Sequence, residues 1–318
     1  MVKDMKAAFT LIEMIFVIII ISLLSTATYK ALQMIVTRSY KAKQTTKLSL
    51  ESQTTLNQIS SYLKYRIPYS TIGYDPQTGN YEYIGSLTGN KPVLEWYGRA
   101  IEAFEKGYVS EFIDMAQADK TNLTLLSPDT DGNGIANLEQ KKWNASNIYA
   151  NKTLDLIFAG SFDRGSGSSN SYTGTFGWHG GGSSDSFDIA SIDATGTITL
   201  IDIPAFIYEK YFLVDSAYAI ARGKDIDATA TCITNLRIKN AELADTLFLF
   251  SNYRPWKGET FCADKTGGTK TGDVSILMQN VQGFRFEQLD YTIRIALDIN
   301  KTINGSTPVH FSKMKVVF

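Results

Sequence analysis

Residues 7–36 read AAFTLIEMIFVIIIISLLSTATYKALQMIV. Residues 9–28 hold a single charge, Glu13, around a solid Ile/Leu/Val/Phe centre. An α-helix needs about 20 such residues to cross a hydrocarbon core of about 30 Å. No proline or glycine interrupts residues 9–67, and Pro68 supplies a stop. At 1.5 Å per residue a helix of that length reaches roughly 90 Å. Past the apolar run, Leu48, Ser52, Leu56, Ile59, Leu63 and Ile67 recur at steps of three and four. They form one apolar stripe over residues 45–67. The first half of this helix can be satisfied only by lipid or by helices of other chains; the second half must lie on a globular head.

The flanks of the run say how it is used. Lys3 and Lys6 precede it, which keeps the start cytoplasmic and exports the rest of the chain. The basic residues from Lys30 to Lys47 oppose that topology, so it needs a second argument. An ordinary secretory signal is cut after its apolar stretch. Here the small pair Ala7 and Ala8 comes before it, so a cut there leaves the helix on the mature chain with a new amino group on Phe9. Glu13 would then lie four residues into the helix. A bare carboxylate in lipid is costly, which suggests a function, and the helix macrodipole favours an anion at that end.

The string Ala8-Phe9-Thr10-Leu11-Ile12-Glu13 resembles the class III leader of type IV pilins and type II secretion pseudopilins. The resemblance implies that a prepilin peptidase cuts between Ala8 and Phe9 and methylates the new amino group of Phe9. It implies that Glu13 pairs with the amino terminus of a neighbouring subunit during assembly. The family usually has glycine before the phenylalanine, where this chain has Ala8. Implied partners are other pilins or pseudopilins, the prepilin peptidase and inner-membrane lipids. Implied location is the bacterial inner membrane, single-pass with a periplasmic head, and the filament after assembly.

The expected fold is α+β and pilin-like: a long N-terminal α-helix on a C-terminal antiparallel β-sheet head with an insertion. The divisions are a leader at 1–8, a transmembrane half at 9–28, an amphipathic stem at 29–67 and a head at 68–318. An insertion covers about 90–150, with a helical stretch at 94–105. Strands are expected at 154–158, 198–203, 205–214, 275–278, 283–288, 292–299 and 314–318, and a long Gly/Ser loop at 165–186. Residues 281–286 and 292–297 resemble the late strands of J-type minor pseudopilins. Large minor pseudopilins with calcium-bearing insertions are K-type, but these generally lack the glutamate found here as Glu13.

Charge is unevenly placed. The chain is net −1 overall, yet residues 9–66 hold seven basic against two acidic side chains and the leader is net +1. Residues 67–318 therefore carry −7. An acidic head is a poor partner for phosphate backbones, which disfavours nucleic acid. Two cysteines, Cys232 and Cys262, read as one disulfide if the head lies outside the cytoplasm, or as two buried thiols. Residues 129–140, DTDGNGIANLEQ, place oxygen ligands at Asp129, Asp131, Asn133 and Asn137 with Gly134 for the sharp turn and Ile135 offering a carbonyl. That is an EF-hand-type calcium spacing, with Gln140 where a bidentate glutamate is expected and Glu139 as a substitute. The competing reading is an Asp/Gly/Asn turn capping a short helix at 135–143.

Other motifs point to no enzyme. His179-Gly-Gly-Gly182 matches an oxyanion-hole string, but the chain has no Gly-x-Ser-x-Gly elbow to go with it. Tyr208, Tyr211, Phe212 and Tyr218 could form a stacking platform, though Glu209 and Asp215 among them favour packing. Trp96, Trp143, Trp178 and Trp256 read as packing residues. The expected function is a minor pseudopilin or minor pilin at a filament tip; the alternative is a tip adhesin or DNA-uptake receptor.

Overall fold

The computed structural model describes residues 10–160, 176–183, 185–202, 204–303 and 307–318. Ala8, Phe9 and most of the Gly/Ser stretch lie outside them. The chain divides into two compact units, residues 1–51 with 302–309, and residues 52–301 with 310–318.

The helix expected from the sequence is present as α1 (Leu11–Lys64). Every residue of the apolar run from Leu11 to Thr28 is exposed. The stripe residues behave in the opposite way: Leu48, Ser52, Leu56, Ile59, Leu63 and Ile67 are all buried. The large ones contribute about 1.5–3 kcal/mol each. α1 stops three residues before the expected end. Pro68 disfavours the helical region for Ile67, and Ile67 instead donates its amide to Tyr97 O at 2.8 Å while Arg99 donates to Tyr65 O at 3.0 Å.

The second unit is mostly sheet. Its first strands are β1 (Ile72–Asp75), β2 (Asn80–Tyr83) and β3 (Val93–Arg99), followed by a short helix α2 (Ile101–Glu105). Then come β4 (Thr124–Leu126), α3 (Gly132–Trp143), β5 (Asp155–Phe158), β6 (Phe187–Ile192) and β7 (Thr197–Leu200). The longest central strand is β8 (Tyr211–Arg222), after which β9 (Leu247–Tyr253), β10 (Glu259–Phe261), β11 (Thr269–Thr271) and β12 (Asp273–Met278) follow. The chain closes on β13 (Val281–Leu289), β14 (Thr292–Ile303) and β15 (Thr307–Val317).

Ten strands form one sheet in the order β2-β1-β3-β8-β5-β6-β7-β4, with β9 and β12 joined through β8. β8 anchors it: residues 211–214 pair with β5, and residues 217–222 pair with β9, while β3 runs along its other edge. Its strands pair antiparallel, whereas β10 and β11 pair in parallel beside it. β13, β14 and β15 form a separate three-stranded sheet.

Two expectations are corrected here. Residues 94–99 are strand, because β3 is enclosed between β1 and β8 and buried on both faces, so its run of apolar and aromatic residues lacks the alternation that marks a strand. Only residues 101–105 of the expected helix are helical. The strand read at 205–214 begins at Tyr211 and continues to Arg222, since its pairing partners start there.

Candidate assembly interface

α1 opens where the Thr10 carbonyl accepts the amides of Glu13 at 3.0 Å and Met14 at 3.2 Å. Glu13 is thus in the first helical turn, exposed, at the end where unpaired backbone amides favour a carboxylate. Leu11, Ile12, Phe16, Leu23 and Leu24 are all more than 60% exposed. Such a surface is stable only in lipid or against other helices. Its mean hydropathy reaches 2.4 with none of the window buried, long and apolar enough to cross a membrane. Two hydroxyls within it are satisfied locally: Ser22 donates to Ile18 O at 2.7 Å and Thr26 to Ser22 O at 2.8 Å. These two side chains therefore place no unpaired donor on the lipid side.

The stretch read as a calcium loop has a different geometry. α3 begins at Gly132, and Asp131 is its N-cap, accepting the amides of Asn133 and Gly134, both at 3.0 Å. Asn133 and Asn137 lie four residues apart along that helix, and Ile135 between them is fully buried. Gln140 donates to Ser146 O at 3.4 Å, and Glu139 is buried, accepting Trp143 Nε1–H at 2.9 Å. Gly134 serves close packing: a Cβ there would lie 2.8 Å from the Tyr108 ring. In this arrangement Asp131, Glu139 and Gln140 each make hydrogen bonds within the protein. Among the described residues, no three His, Cys, Asp or Glu side chains gather to hold a metal.

Cys232 and Cys262 form a disulfide closing 30 residues, with their Cα atoms 6.4 Å apart. Two residues on, Asp264 takes part in a buried polar network that nothing in the sequence indicates. His179 lies between two carboxylates, its Nε2 2.9 Å from Glu95 Oε1 and its Nδ1 3.5 Å from Asp264 Oδ2. The second of these is an ion-pair distance rather than a hydrogen bond. Tyr253 donates to Glu95 Oε2 and Tyr74 to Asp264 Oδ1, each at 2.8 Å, and the Tyr74 ring stacks on the imidazole at 3.7 Å. Burial alone would depress the imidazole, but the Glu95 charge and the close approach of both carboxylates outweigh it and push His179 up to about 9. Although burial acts against it, contact with that imidazolium keeps Asp264 below the usual carboxylate range.

His179 is therefore a buried core residue. Phe176 and Trp178 beside it are also buried. The aromatic run behaves as packing: Tyr211 and Phe212 are buried, and Tyr218 stacks on Trp96 at 5.7 Å. Trp96, Trp178 and Trp256 are buried, and Trp143 carries the Arg254 guanidinium 4.2 Å above its ring.

Residues 3–29 match the family described as prokaryotic N-terminal methylation motif. No curated protein and no solved structure matches the chain. The match runs from within the expected leader through the exposed apolar run and supports a class III prepilin leader, and the helix followed by an antiparallel head is a pilin-like α+β architecture. Ala8 and Phe9 fall inside the match, as does Glu13.

Proposed function

We propose that this chain, a pilin- or pseudopilin-like protein by its leader, is a minor subunit of a type II secretion or type IV pilus-like filament. Prepilin peptidase cuts Ala8 from Phe9 and methylates the new amino group. The mature helix stays in the inner membrane with the head in the periplasm until assembly. Glu13 then neutralises the amino terminus of a neighbour as the helices bundle. The observation that carries this reading is an apolar helix with none of its membrane-length window buried, whose first turns fall inside a methylation motif.

A tip position is supported by the head. A ten-stranded sheet carrying a lobe between β3 and β8, with its own core of Ile135, Leu156, Ile198 and others, is bulky for a close-packed shaft. Co-expression with a prepilin peptidase and intact-mass measurement tests the assignment. Loss of residues 1–8 with one added methyl is expected; an unchanged N-terminus overturns it. Immunogold labelling evenly along purified filaments would overturn the tip position alone.

A further inference from the structure

We propose that Lys152 and Asp188 condense into a side-chain amide, with Asp155 moving the protons, so that the chain cross-links its own sheet. The inference goes beyond the filament reading and does not depend on it.

The register of the sheet places the three groups. Among the described residues β5 and β6 pair only at Asp155–Asp188 and Leu156–Phe187, the shortest seam in the ten-stranded sheet. That seam joins β6, β7 and β4 to β5 and β8. Asp155 and Asp188 stand directly opposite each other across it, where two like charges are destabilising. Lys152 lies in the turn before β5, and its Nζ is 2.5 Å from Asp188 Oδ2, 36 residues further along the chain. Its backbone is fixed on both sides: the amide donates to Tyr149 O at 2.9 Å, and the carbonyl accepts Trp256 Nε1–H at 3.0 Å. With φ at 48° the residue is held in the left-handed region, which long side chains seldom adopt. The amine is therefore aimed at Asp188 by the fold.

Asp155 supplies what an ordinary ion pair lacks. It is completely buried, and Ser186 donates to its Oδ2. Burial pushes its carboxyl up to about 8; the Ser186 hydrogen bond opposes the rise and the Asp188 charge adds to it. At neutral pH a proton is thus stored beside the Lys152–Asp188 contact.

The step balances without a further reagent. The Lys152 ammonium passes one proton to the Asp188 carboxylate, leaving both groups neutral. Nζ then attacks Cγ of Asp188, and the new carbon–nitrogen bond forms. Asp155 gives its proton to the departing hydroxyl and takes one from the nitrogen, the Cγ–O bond breaks, and one water leaves. Asp155 ends protonated as it began, and nothing is oxidised or reduced. Separate amines and acids do not condense in water, but aligned groups within one molecule reach effective molarities of about 10⁵–10⁸ M. The product also removes two opposite charges from a seam where their desolvation offsets much of their attraction.

The test is the intact mass of the full chain, purified in detergent micelles and denatured just before measurement. Wild type should weigh one water, about 18 Da, less than its sequence, after allowance for the disulfide and for any removal of residues 1–8. Proteolysis should release a branched peptide joining Lys152 to Asp188. Lys152→Arg keeps a cation beside Asp188 but cannot form the amide, so it should regain the missing mass. Asp155→Asn keeps the shape without the acid and should also stay at full mass. Wild type at full mass overturns the proposal. So does a water loss that persists in Lys152→Arg, which would place a succinimide or another link elsewhere in the chain. A loss that persists in Asp155→Asn overturns the role given to that carboxyl. Should a variant fail to fold, the presence or absence of the branched peptide in wild type decides alone.

Discussion

His179 Nε2 sits 2.9 Å from Glu95 Oε1 across 84 residues of sequence, and both side chains are almost entirely removed from water. The pair ties the segment around Trp178 to the middle of β3, and Asp264 ties it to the chain beyond the disulfide.

The pair makes stability of the head depend on pH in a defined direction. His179 has its folded pKa raised to about 9 from an ordinary value of 6.5. Its contribution is fully present below 6.5 and is lost as pH rises through 9. Thermal unfolding of the chain followed by near-UV circular dichroism should therefore show Tm falling between about pH 6.5 and 9. His179→Gln should lower Tm at about pH 6, since breaking a buried pair leaves Glu95 and Asp264 uncompensated at a cost of about 3–5 kcal/mol. It should also flatten the decline; a variant with the wild-type slope would show that other groups set it.

The disulfide should matter twice. Cross-linking a loop of 30 residues restricts the unfolded chain by roughly 3–4 kcal/mol in the chain-entropy account. Reduction also frees the segment that carries Asp264, so the pH dependence from His179 should weaken with it. Denaturant midpoints of the oxidised and reduced chain, measured at about pH 6 and about pH 9, separate the two. A constant oxidised-to-reduced difference at both pH values would deny the coupling.

How much of the fold is legible in the sequence depends on the range of each interaction. Leu48, Leu56, Ile59 and Leu63 are buried as their spacing requires, because helical periodicity is a local property of the chain. Glu13 and the apolar run are legible for the same reason. β3 is not, since a strand buried on both faces shows no alternation and Leu94 to Tyr97 look equally at home on a helix. The run LFLFSNY of β9 hides in the same way, with four buried residues in succession. The network of His179, Glu95 and Asp264 escapes sequence reading altogether, because it exists only through tertiary placement. Residues 129–140 fall between these cases: spacing locates a special turn, while the close approach of Gly134 to Tyr108, which leaves no room for a Cβ, is a tertiary contact that spacing does not show.

Asp131 offers a direct comparison between a cap and a calcium ligand. As an N-cap it accepts two amides, and Asp131→Ala should cost about 0.5–2 kcal/mol. Asp131→Ser keeps a capping oxygen but removes the charge that calcium needs. With the capped helix as the working arrangement, Asp131→Ser unfolds within about 0.5 kcal/mol of wild type and neither responds to chelator. A Tm that rises with millimolar calcium in the wild type and not in Asp131→Ser would show that the loop rearranges around the ion.

Glu13→Gln removes the carboxylate proposed to act in assembly and leaves the leader sequence unchanged. Cleavage after Ala8 should proceed at the wild-type rate, while recovery of the mature subunit in sheared filaments falls severalfold. The two readouts come from the same cells by intact mass and by immunoblot of the filament fraction. Normal incorporation of Glu13→Gln would leave the carboxylate without an assembly role.

Glu139 is a buried acid in the lobe carrying α3. Burial first, and the neighbouring charge of Asp215 second, push its pKa up to about 8 from 4.5. A folded value above the unfolded one means that stability is full below 4.5 and is lost as pH rises through 8. Trp143 Nε1–H can donate to a glutamine oxygen as well as to a carboxylate, so Glu139→Gln keeps the 2.9 Å hydrogen bond and removes only the charge. Lys142 pairs with Asp215 at 2.7 Å and retains that partner in the variant. Glu139→Gln should therefore match wild type at about pH 5 and exceed it at about pH 8.5 by about 1–2 kcal/mol, roughly 2–8 °C in Tm for a chain of this size. A variant destabilised at both pH values would mean that ionised Glu139 holds Lys142 in place, and that the lobe needs the charge it buries.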